Sequence, residues 1–201
     1  MKGARSPQYI SMTRDRTRGT DSSPVNDRRL RHVAVHEAGH AVASHYLGTP
    51  LRHVTVTRDK KGKTLGHTRQ RWVWFQDKRG VLDVSPRGRD HVERHILVSL
   101  AGQLALRRYA PRSRWQTGSE RDTWQAIELY WLICDKDEKA AKLYLALLWR
   151  RAEWLIEAKW KDVLAVADAL LERGTLKADE LGRVILGRRS RAAARRPSRR
   201  P

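Results

Sequence analysis

Two rhythms of apolar and polar residues run along this chain. From Ser23-Pro24 the pattern predicts a helix, because proline suits a first helical turn. It runs through "HVAVHEAGHAVASHYL" to about Leu47 and stops at Gly48, with Pro50 beyond. "LRHVTVT" (51–57) then switches to a period of two, as a strand does. "DKKGK" (59–63) reads as a turn and "TLGHTRQRWVWF" (64–75) as a second strand, so the pair predicts a small hairpin. Ser85-Pro86 opens another helix that ends before Pro111. Its Val92, Ile96, Leu97, Leu100, Ala101 and Leu104 recur at helical spacing. A third helix is expected from about residue 119. Further helices are expected over 138–160 and 161–173, with Gly174 as a stop, and a short last one in "TLKADELGRVIL".

The fold class that follows is mainly α, an α+β arrangement with one small sheet. Residues 1–23 read as a polar, disordered arm, 24–187 as one domain, and 188–201 as a basic tail. Of the eight tryptophans, Trp124, Trp131, Trp149, Trp154 and Trp160 lie in helical segments, where packing is the expected role. Trp72 and Trp74 share one face of the second strand.

Composition narrows the picture. The 201 residues suffice for one domain with its own core. The single cysteine, Cys134, excludes an internal disulfide and a cysteine zinc cluster, and is expected to fill core space. The N-terminal stretch has a basic start without the apolar segment of a secretory signal. No run of eighteen apolar residues occurs. A cytoplasmic setting is the expectation. The formal charge is +20, and the last fourteen residues carry seven arginines and no acid. Such a balance points to acidic partners, nucleic acid among them, although no nucleic-acid-binding signature accompanies it.

Candidate chemistry centres on "HEAGH" (36–40). On a helix, His36 and His40 lie one turn apart on one face and can share a metal ion. Glu37 between them can take a proton from water at that ion. Gly39 costs about 1 kcal/mol of helix propensity relative to alanine, which suggests that its small size admits something close. A catalytic zinc site needs a third protein ligand. A histidine six residues after His40 would make a metzincin set, but that position is Tyr46, and His45 is set on another face. The third ligand must come from elsewhere. Asp122 is the candidate, on the same helix face as Ala126, Leu129 and Ile133. Capping is its equal alternative, since Ser119-x-x-Asp122 is a capping box. Glu93 competes from a charged stretch. His32, His53, His91 and His95 are expected at the surface or at contacts between elements.

Taken together, these pieces resemble the peptidase domain of the FtsH family, the ATP-dependent zinc metalloproteases. "HEAGHAV" (36–42) is similar to that family's zinc-and-base motif, and "VTVTRDKKGKTLGHT" (54–68) to its following strand pair. "ILVSLAGQLALRR" (96–108) resembles its L-x-G-R-x-A-E-E helix. "TGSERD" (117–122) resembles its T-G-A-x-x-D, and "LLERGTLKADEL" (170–181) its closing hairpin. The resemblance implies an FtsH-peptidase-like fold with one zinc per chain on His36, His40 and Asp122, and Glu37 as general base. It also places His67 in the strand that resembles the family's substrate edge. Gln103 departs from the family's arginine, and Ser119, Arg121 and Thr123 rewrite the surroundings of Asp122.

With 35 residues before His36 and no G-x-x-x-x-G-K-[ST] loop, the expectation is a peptidase without its own ATPase. It would hydrolyse unfolded or flexible proteins. The alternative is a non-catalytic or nucleic-acid-associated binding protein built on a peptidase-like scaffold. Expected partners are a protein or peptide substrate, with a separate ATPase or adaptor and non-specific nucleic acid on the tail as further candidates. Oligomer formation stays open.

Overall fold

The computed structural model describes residues 24–58, 65–70, 85–112 and 137–194. Among these residues, five helices and three strands appear in the order α1 (Pro24–Leu47), β1 (Leu51–Arg58), β2 (Leu65–Gln70), α2 (Pro86–Tyr109), α3 (Glu138–Ala158), α4 (Trp160–Arg173), β3 (Thr175–Lys177) and α5 (Ala178–Ala194). The molecule is mainly helical with one small antiparallel sheet, as the pattern predicts. The expected helix near 119, with Trp124, Trp131 and Cys134, lies outside the described residues, as do Trp72 and Trp74. Among the described residues, no helix is long and apolar enough to cross a membrane.

The punctuation sets the boundaries. α1 stops because Gly48 takes φ 67°, a left-handed turn open to a residue without Cβ. Ser85 caps α2, its Oγ accepting from the Gly88 amide at 3.2 Å. Asp137 caps α3 in the same way, accepting from Ala140 N at 3.0 Å. α4 ends at Gly174, φ 74°, whose amide donates to Leu170 O at 2.8 Å.

The sheet order is β2-β1-β3, with β1 in the middle. Val54 of β1 faces Thr68 on one side and Leu176 on the other. Here the structure corrects the expected helix over 175–186. Thr175–Lys177 pair with β1 as a strand, Leu176 turns fully into the core, and the helix starts only at Ala178. Glu180 helps set that start, accepting from the Lys177 amide at 2.7 Å. α5 then runs on to Ala194, past the boundary drawn at 187.

α1 is the central element, packed on α2, α4 and the sheet. Its buried face is built from small residues: Ala34, Val35, Ala38, Ala41, Val42 and Ala43. α2 answers with Ile96, Leu97, Val98, Leu100, Ala101, Leu104 and Ala105. Burying a leucine or isoleucine in full contributes about 1.5–3 kcal/mol, so Ile96 and Leu100 carry more of the stability than any one alanine. The alanines contribute proximity instead. A Cβ on Gly39 would lie 2.6 Å from Ala101 O and 2.7 Å from Ala105 Cβ, so the two helices touch backbone to backbone there. The close approach expected at Gly39 is made by α2.

A candidate metal centre on the central helix

The i, i+4 spacing of His36 and His40 brings their rings together on α1. The ring centroids are 4.7 Å apart, and the two Nε2 atoms are 3.1 Å apart. Two nitrogens on one tetrahedral zinc, each at 2.0–2.1 Å, would be about 3.3 Å apart. The pair therefore fits a shared ion with little rearrangement.

The tautomer of His40 follows from its other nitrogen. Nδ1 lies 2.7 Å from the carbonyl of Val98, which can only accept, so Nδ1 carries the proton. In the neutral ring Nε2 then presents a lone pair toward His36. This is the outer contact that metal-binding histidines ordinarily have. Gly102 makes room for it: a Cβ at that position would meet His40 Nε2 at 2.3 Å. α2 thus contributes a hydrogen-bond acceptor and a space, both to the same ring.

Glu37 is 6% exposed. Its Oε2 accepts from the Thr68 hydroxyl at 2.7 Å, and Thr68 Oγ1 also lies 3.3 Å from Glu37 O. Thr68 stands on β2, an edge strand of the described sheet.

The structure brings the His36 and His40 rings together, while Glu37, their neighbour along α1, has its carboxylate held by Thr68. Asp122 lies outside the described residues, and among those residues no group of three or more metal-ligating side chains is assembled. Glu93, the rival third ligand, is engaged by α3: it accepts from Tyr144 Oη and from Arg151 Nη1. Tyr46 is turned to α4, where its hydroxyl donates to the buried Asp162 at 2.7 Å. His45 is exposed and packs edge-on against Tyr46. His67 pairs in register with Thr55. Of the two settings expected for these histidines, His32 and His95 take the buried one. His32 sits edge-on to Tyr109, and burial pushes both imidazoles below their ordinary pKa. Trp154 is 53% exposed, with the Arg150 guanidinium over its ring, while Trp149 and Trp160 are half-buried as expected.

Three contributors were missed in the sequence: the Val98 carbonyl, Gly102 and Thr68. Gly102 alone carried a signal, a glycine interrupting an otherwise apolar helical stripe.

No protein-family model matches the chain. The chain is 30% identical over 213 residues to the ATP-dependent zinc metalloprotease YME1 homolog of Caenorhabditis elegans. That alignment takes in 90% of this chain and 29% of the relative, so the chain spans less than a third of that protein's length. What it shares with the FtsH family of metalloproteases is a distant relationship.

Proposed function

We propose that this chain is a zinc-dependent metalloendopeptidase acting on unfolded or flexible protein segments. The observation that carries the reading is the pair of imidazole nitrogens 3.1 Å apart on α1, with the buried Glu37 next to His36 in the sequence. His36 and His40 would hold the ion, and Asp122 is proposed as the third ligand. Zinc there supplies Lewis-acid chemistry toward a peptide carbonyl and toward water.

The chain's own groups do the rest. Val98 O fixes the His40 ring, so its Nε2 stays aimed at the ion's position. Glu37 takes a proton from the attacking water and returns it to the leaving amine as the C–N bond breaks. A buried carboxylate suits this work because little water competes for it. The substrate is proposed to lie extended along the edge strand β2, adding to the sheet through main-chain hydrogen bonds. Distant similarity to a zinc metalloprotease supports the same chemistry.

The test is cleavage of an unstructured protein by the zinc-loaded chain without added nucleotide. Glu37→Gln should lower kcat by at least about a hundredfold while zinc content stays at the wild-type level. His36→Ala, His40→Ala and Asp122→Ala should each lose the zinc. Undiminished cleavage by the Glu37→Gln protein would rule out the reading.

A further inference from the structure

We infer that Thr68 is the positioning residue for the base, holding one oxygen of Glu37 so that the other receives the proton. The inference rests on the peptidase reading and adds a residue to it. An ionised carboxylate only accepts, so the hydrogen between Thr68 Oγ1 and Glu37 Oε2 belongs to the threonine. The hydroxyl has a single proton and two acceptors in reach, Oε2 at 2.7 Å and Glu37 O at 3.3 Å. The shorter contact to the charged oxygen takes it. Among the described residues, Oε1 carries no hydrogen bond. The two oxygens of Glu37 are therefore distinct: Oε2 is tethered to the sheet and Oε1 is free to react.

The tether joins elements that are far apart in sequence. Glu37 lies on the central helix, next to His36, and Thr68 lies on the edge strand, facing Val54 of β1. A glutamate has three rotatable side-chain bonds, and one hydrogen bond to a strand removes most of that freedom. A chain laid along β2 and the oxygen that serves it would then share one rigid reference.

The experiment compares Thr68→Val, which keeps the shape and loses the hydroxyl, with Thr68→Ser, which keeps the hydroxyl. With cleavage of the unstructured substrate as readout, Thr68→Val should lower kcat by roughly tenfold or more with KM little changed, a part of the roughly 10²–10⁴-fold that a positioned base supplies. Thr68→Ser should recover most of it, and zinc content should be unchanged in both. A second readout needs neither metal nor activity. In the zinc-free protein with 13C-labelled glutamate carboxylates, the Glu37 resonance is identified by its loss in Glu37→Gln. It should move in Thr68→Val and hold its place in Thr68→Ser. Full kcat in Thr68→Val, or equal damage in the valine and serine proteins, overturns the inference, as does an unmoved resonance. Wild-type zinc protein that cleaves nothing would instead defeat the peptidase reading, and the carboxylate resonance would still decide whether Thr68 holds Glu37.

Discussion

Gly102 works by having no side chain. A methyl group there would meet the His40 ring at 2.3 Å, and that ring is pinned from its other side by Val98 O. Gly102→Ala must therefore move the imidazole or part α1 from α2. The expected outcome is a destabilisation of about 1–3 kcal/mol, the usual cost of overpacking, together with a large loss of zinc if the ion binds as proposed. Metal analysis and denaturant unfolding check the two effects. Ser44 presents the opposite case. It is fully buried on α1, and its Oγ has no hydrogen-bond partner among the described residues. Desolvating an unpaired hydroxyl costs about 1–3 kcal/mol. Ser44→Ala should thus raise the unfolding free energy, and a lowered melting temperature would contradict this. At this scale the sequence was readable where spacing alone decides geometry. His36 and His40 needed only a helix to meet. The Thr68 contact spans 31 positions and exists only once the strand has folded back over α1, so no local pattern announces it.

Elements were legible in proportion to their punctuation. α1 begins at Pro24 and ends before Gly48, and α2 begins after Ser85, because those residues satisfy or release the backbone at helix ends. β3 escaped for want of length: three residues are too few to show a period of two, and "TLKADEL" passes readily for a helix start. Its importance is tertiary. Leu176 is fully buried opposite Val54, and Leu176→Ala should cost about 2–5 kcal/mol as a core truncation. A loss much below that in a denaturant titration would deny β3 its place in the sheet. α2 also carries a pH dependence. Burial, and then the neighbouring His91, push His95 below its ordinary value of 6.5. The unfolded chain then binds protons that the folded chain refuses. Stability is full above pH 6.5 and should decline as pH falls below it. Unfolding curves from pH 8 to 5 should show a shallower decline for His95→Gln than for the wild type.

At the scale of the whole molecule, the site and the core share one helix. The face of α1 that carries His36 and His40 adjoins the alanines that seat α2, so the geometry of the centre depends on the main packing seam. Charge acts separately. A formal +20 makes the chain attractive to any polyanion. If nucleic acid binds through that charge, the affinity for a single-stranded oligonucleotide should fall steeply between about 50 and 200 mM salt. Affinity that ignores salt would exclude the charge as its source.

The meeting of α1 and α2 has a consequence for how this chain can change over time. Gly39 gives up its side chain to admit the carbonyl of Ala101, and one position further along α2, Gly102 gives up its own to admit His40. Each helix has ceded volume to the other at adjacent points. A bulkier residue at Gly39 would press on backbone that cannot shrink, and one at Gly102 would press on the His40 ring. Neither position can be compensated by its neighbour, so both glycines should be held fixed while the outer faces of the two helices diverge freely.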